Sequence, residues 1–66
     1  MIDALKLRYE ADMAVARASI RMILTKHAVV PEHPADKLFE DLDTQVGVLA
    51  DRQDKLDMLR KVGTEP

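Results

Sequence analysis

The fold of this chain is decided by the stretch IDALKLRYEADMAVARASIRMIL, residues 2–24, which is apolar on two opposite sides. At about 100° per residue, one stripe of an α-helix would contain Ile2, Leu5, Tyr9, Met13, Ala16, Ile20 and Ile23. The opposite stripe would contain Leu7, Ala11, Ala14, Val15, Ala18 and Met22. A single neighbouring helix can cover only one of these stripes. The sequence therefore predicts a second packing partner for this segment.

A second apolar pattern follows Pro34, at alternating spacings of three and four residues. Its members are Phe39, Leu42, Val46, Leu49, Gln53 and Leu56, with Leu38, Leu59 and Val62 beside them. A short connection favours antiparallel neighbours, so we predict an all-α fold consisting of one antiparallel two-helix hairpin over residues 1–66. The predicted bounds are a helix at 4–27, a connection at 28–33, a helix at 34–62 and a tail at 63–66.

The two apolar patterns also predict a register for the hairpin. If Ile23 faces Phe39, the residue numbers in each facing layer sum to about 62, which places Tyr9 opposite Gln53. A buried amide needs a hydrogen-bond partner. We therefore predict that the Tyr9 hydroxyl and the Gln53 amide form a buried polar pair that fixes the register.

Three further expectations concern the two helices. Asp3 is predicted to cap the first helix. Gly47 is expected to lie beside Ala16 and to let the backbones approach closely. The side chains of Arg17 and Arg21 are expected near Glu40 and Asp43; such exposed ion pairs select an orientation and contribute little stability.

Composition indicates that the hairpin needs support from outside itself. The chain has 66 residues and no cysteine, so neither a large core nor a disulfide is available. Residues 1–27 carry a net charge of +2 and residues 34–66 a net charge of −3, so the two halves are complementary. The overall charge of −2 argues against a general nucleic-acid binder, and the sequence contains no apolar run long enough to cross a membrane. We expect synthesis in a cytoplasm.

The alanine-rich stripe is the main candidate interface. Small residues at spacings of three and four allow two helices to come close, so the same stripe of a second copy is expected to complete a four-helix bundle by dimerisation or by packing on a partner. The alternative is that these alanines are simply good helix formers on an exposed side. The predicted interface residues are Leu7, Ala11, Ala14, Val15, Ala18 and Met22.

Two groups of side chains resemble metal ligands, but neither is complete. His27 and His33 flank the connection, and two histidines alone are too few for a zinc site. Asp51, Asp54 and Asp57 are interrupted by basic residues and lack a glycine-hinged loop, so a solvated face explains them better than calcium binding. We expect no cofactor. No nucleophile has a plausible base and no glycine-rich loop is present, so we expect no enzyme activity.

Basic side chains leave a second functional hypothesis open. Arg8, Arg17, Arg21 and Lys26 would contact phosphates if the bundle aligned them in one row, although no aromatic residue is available to stack on bases. This alternative is a small dimeric regulatory adaptor that binds RNA or a host protein.

Four segments carry a resemblance to a known group of proteins: MIDALKLRYEAD at residues 1–12, EHP at 32–34, DTQ at 43–45 and DKL at 54–56. With these segments the chain resembles small uncharacterised proteins encoded by contractile-tailed phages of marine cyanobacteria and their relatives. The resemblance implies a phage origin, expression in a bacterial cytoplasm and incorporation into a virion. It assigns no catalytic or binding residue, and it leads us to expect a structural or assembly protein.

Overall fold

The computed structural model describes residues 1–29 and 35–64, which form two α-helices. Helix α1 spans Ile2–Val29 and helix α2 spans Ala35–Thr64. No strand occurs in these two ranges. Asp12 in the first half of α1 pairs with Arg52 in the second half of α2, so the helices run antiparallel. The predicted all-helical hairpin is confirmed.

The helix ends differ from the predicted bounds by one to two residues. The backbone N–H of Leu5 donates to the carbonyl of Met1 at 3.1 Å, so α1 begins before Asp3. The capping role predicted for Asp3 is therefore wrong, and its carboxylate lies in the first turn, where it interacts favourably with the helix dipole. Helix α2 continues through Gly63 to Thr64. Of the predicted connection and tail, residues 30–33 and 65–66 lie outside the described residues.

The face that α2 turns toward α1 is rotated from the predicted one. Phe39 and Val46 were expected to pack on α1, but 66% and 53% of their surface is exposed. The residues of α2 that do pack on α1 recur at the same alternating spacings of four and three residues, but they form a neighbouring row on the helix surface. It contains Leu38, Leu42, Gln45, Leu49, Arg52, Leu56 and Leu59, all buried or half-buried. This row holds five leucines, half-buries Gln45 and Arg52 between them, and leaves the Gln53 amide exposed.

Very little of the molecule is buried between the helices. Among the described residues only Ala16 and Leu56 are fully buried, at 1% and 6% exposure. The chain measures 55 × 17 × 12 Å, and its radius of gyration is 15.5 Å, whereas a compact domain of this length is expected to have a value of about 11 Å. The hairpin is therefore a long, thin element with a small core of its own.

Gly47 does not lie against α1, contrary to expectation. A Cβ atom built at this position meets nothing within 4 Å, and the residue is exposed. The small residue that is buried at the contact between the helices is Ala16, at 1% exposure.

Because Gly47 occupies open space in the middle of a helix, Gly47→Ala should stabilise the protein. The substitution removes backbone entropy from the unfolded chain without a steric cost, so the free energy of unfolding should rise by about 0.5–1 kcal/mol. Chemical denaturation followed by circular dichroism measures this change. A loss of stability would show that the Gly47 surface is covered in the native protein.

Candidate self-association surface

The alanine-rich stripe lies on the side of α1 that faces away from α2. Its three larger members are strongly exposed, Leu7 at 66%, Val15 at 66% and Met22 at 72%. Ala11 and Ala14 are exposed, and Ala18 is half-buried. We call these six residues the outer face of α1. The hairpin covers none of its large side chains, and the interface role assigned to it stays a prediction.

The outer face is longer than the six residues first assigned to it. Helical spacing adds Ala4 at one end and Val29 at the other, and Val29 is 73% exposed. The surface therefore extends along almost the whole of α1. Alanine at positions 4, 11 and 18 recurs every seven residues, which keeps small side chains on one line and allows another helix backbone to approach closely.

The sequence pattern missed a second exposed apolar area. Leu24 on α1 is 49% exposed, and Phe39 and Val46 on α2 are the residues turned away from the hairpin contact. The sequence feature that could have revealed this area is a pair of adjacent leucine-containing rows along α2, which share Leu42, Leu49 and Leu56. One helix can pack on only one of them.

Tyr9 and Gln53 do not form the predicted buried pair. Gln53 is exposed, and its amide Nε2 donates to Oδ1 of Asp57 at 3.2 Å within α2. Tyr9 is half-buried, and Nζ of Lys55 lies 5.7 Å from the centre of its ring, a cation–π distance. The prediction is wrong because α2 is rotated, so the residue opposite Tyr9 is Lys55.

An ion pair marks the register that the structure adopts. Nε of Arg52 donates to Oδ2 of Asp12 at 3.0 Å, and Arg52 also binds Asp51. The residue numbers of the Asp12–Arg52 and Tyr9–Lys55 contacts both sum to 64, two more than predicted. This polar contact bridges the helices on one side of the hairpin.

The same cluster perturbs two protonation equilibria. Hydrogen bonds from Lys55 and then from Arg52 lower the pKa of Asp51 below its usual value. Hydrogen bonds to Asp12 and Asp51 raise the pKa of Arg52. Both groups are therefore charged at neutral pH, and the cluster acts as a fixed set of surface ion pairs.

The ion pairs expected for Arg17 and Arg21 are not formed by the described residues. No ion pair joins Arg17 or Arg21 to Glu40 or Asp43 within residues 1–29 and 35–64. Arg17 and Arg21 do not face α2, because they lie about 90° and 130° around the helix from the line through Tyr9 and Ala16. These arginines therefore remain available on the surface of the hairpin.

The structure gives no metal site in the part of the chain that it describes. No group of three potential ligands is found there. Of the three candidate aspartates, Asp51 binds Arg52 and Lys55, and Asp57 binds Arg60. His27 is half-buried and its Nδ1 has no partner among the described atoms. His33 lies outside the described residues.

Basic residues of α1 fall on two sides rather than one. Arg8 and Lys26 are eighteen residues apart and share one line along the helix, whereas Arg17 is half a rotation away from both. One nucleic-acid backbone cannot follow both lines on a single hairpin. No described helix is long and apolar enough to span a membrane.

Comparisons with known proteins identify no relative. No family model, no curated protein and no solved structure matches this chain. The candidate function therefore rests on the surfaces of the hairpin itself.

Proposed function

We propose that this chain is a non-enzymatic structural or assembly protein that acts through helix–helix packing, with the outer face of α1 as its interface. The observation that carries the proposal is the exposure of Leu7, Val15 and Met22 in a chain with two fully buried described residues. Contiguous exposed apolar side chains of this kind mark interaction surfaces.

The total accessible area supports the same proposal. The hairpin exposes 5233 Å², whereas a compact monomer of 7.4 kDa is expected to expose about 4,200 Å². The difference, about 1,000 Å², is comparable with the roughly 800 Å² that each partner buries in a standard protein interface. One interface would therefore bring the chain to the exposure of an ordinary folded protein.

Charge along α1 favours a second copy in the antiparallel orientation. The first half of the helix, residues 2–14, has a net charge of −1, and residues 15–29 have a net charge of +3. Antiparallel packing of two outer faces places these unlike halves together, whereas parallel packing places the two positive halves side by side. The product is a four-helix assembly in which the two copies of α1 are central, related by a two-fold axis.

Sedimentation equilibrium of the purified protein tests this function. The proposal predicts particles that contain at least two chains at micromolar concentration and that persist when the salt concentration is raised, because the contact is apolar. A monomer of 7.4 kDa across the accessible concentration range would contradict it. An assembly that requires nucleic acid and dissociates steeply with salt would instead support the adaptor hypothesis.

The resemblance to phage proteins supports a narrower form of the proposal, in which the assembly is a virion component. The chain should then co-purify with phage particles and stay bound through a high-salt wash. Recovery of the chain only from the soluble fraction of infected cells would contradict the virion assignment and leave self-association to be judged by its own measurement.

A further inference from the structure

One side of the hairpin carries the second exposed apolar area. Lys6 of α1 and Arg60 of α2 line one shallow groove, which identifies that side. Residues seven apart lie on the same side of a helix, so Gln53, Val46 and Phe39 of α2 lie on the same side as Arg60. On α1, Leu24 lies on the same line as Lys6. We call this side the Phe39 flank and define it by Arg17, Arg21, Leu24, Phe39, Asp43 and Val46.

The charged residues that define the Phe39 flank are basic on α1 and acidic on α2. Arg17 and Arg21 belong to α1 and Asp43 belongs to α2, and none of the three pairs with a described residue. On the opposite side, Arg52 binds Asp12 across the two helices. The Phe39 flank therefore combines exposed apolar surface with two arginines on one helix and a carboxylate on the other.

We propose that the Phe39 flank binds a second copy of this chain, with α1 of each copy lying antiparallel over α2 of the other. A two-fold axis parallel to the helices produces this arrangement and makes each contact twice. In the register of the hairpin, Arg21 then lies opposite Asp43 of the second copy, and Leu24 lies opposite Phe39. The flank is thus complementary to itself in both charge and apolar content.

This inference rests on the proposed function because it also takes self-association as the role of the chain. It adds a second interface on a different side of the hairpin. A protomer with one two-fold interface stops at a dimer, whereas two such interfaces extend the assembly to a closed tetramer or an open polymer. The Phe39 flank therefore predicts particles larger than two chains.

Charge reversal at the flank tests the second interface. Arg21→Glu and Asp43→Arg each place like charges opposite one another, so each variant alone should lower the particle mass and raise the dissociation constant of the flank contact at least about tenfold. Mixing the two variants should restore the mass, because one chain of each kind makes both contacts attractive. Sedimentation velocity measures all three samples.

Restoration on mixing requires contact between chains, since an ion pair within one hairpin would stay broken in both variants. Unchanged mass in both single variants, or no restoration on mixing, would overturn the flank proposal. Ala18→Glu provides the comparison on the outer face of α1. If it alone yields monomers, the proposed function stands and the flank proposal fails; if only the flank variants change the mass, the outer-face interface fails instead.

Discussion

Ala18→Glu is expected to abolish the contacts between chains that are made through the outer face of α1. Ala18 lies near the middle of that face, where an added carboxylate would be desolvated without a partner, at a cost of several kcal/mol. Particles should then contain no more than the two chains that the Phe39 flank can hold. Helicity and thermal stability should also fall, because association contributes to the stability of a hairpin with so small a core. Ala14→Glu should act similarly.

Gly47→Glu is the matched control for these variants. It adds the same charge to the interior of a helix, at an exposed position with nothing within 4 Å. We expect its particle mass and helicity to match those of the unmodified protein in sedimentation and circular dichroism. Ala18→Glu particles that keep both their mass and their helical signal would refute the role of the outer face.

Leu56→Ala is expected to have the largest effect on folding within one hairpin. Leu56 is 6% exposed and is the only large side chain among the described residues that is fully buried. Truncating a buried leucine costs about 2–5 kcal/mol, and we expect the lower part of this range because the core is thin. A domain of this size has a total stability of roughly 3–10 kcal/mol, so the melting temperature should fall by on the order of 10 °C or more.

Met58→Ala serves as the comparison for this change. Met58 is two residues away on the same helix and is 60% exposed, so its truncation removes few contacts. Thermal denaturation should show a shift of no more than a few degrees for Met58→Ala. Equal shifts for the two variants would mean that the rotated face of α2 is not the one that packs on α1.

The general architecture could be predicted because α1 has an unusually clear pattern. Ile20 and Met22 belong to opposite stripes, and the structure half-buries the first and exposes the second at 72%. Helical periodicity decides such a division directly, because each residue has a fixed direction around the helix axis. The same reasoning identified Ala16 as a contact residue.

The orientation of α2 could not be predicted in the same way. Phe39 and Leu38 are adjacent, and each begins a row with spacings of three and four residues that is apolar enough to pack. Which row packs depends on side-chain pairing between helices, here Asp12 with Arg52 and Lys55 with Tyr9. Periodicity within one helix contains no information about those contacts, so the Tyr9–Gln53 pair and the Phe39 flank were both missed.

Protection of the outer face of α1 in solution is the central claim, and thiol labelling measures it directly. The chain has no cysteine, so Met22→Cys and Asp54→Cys each introduce a single reporter at a position that is exposed in the isolated hairpin. In the native assembly, we predict that the thiol at position 22 reacts much more slowly than the thiol at position 54, and that the difference disappears in denaturant. Equal and rapid labelling of both thiols in the native protein would contradict the claim.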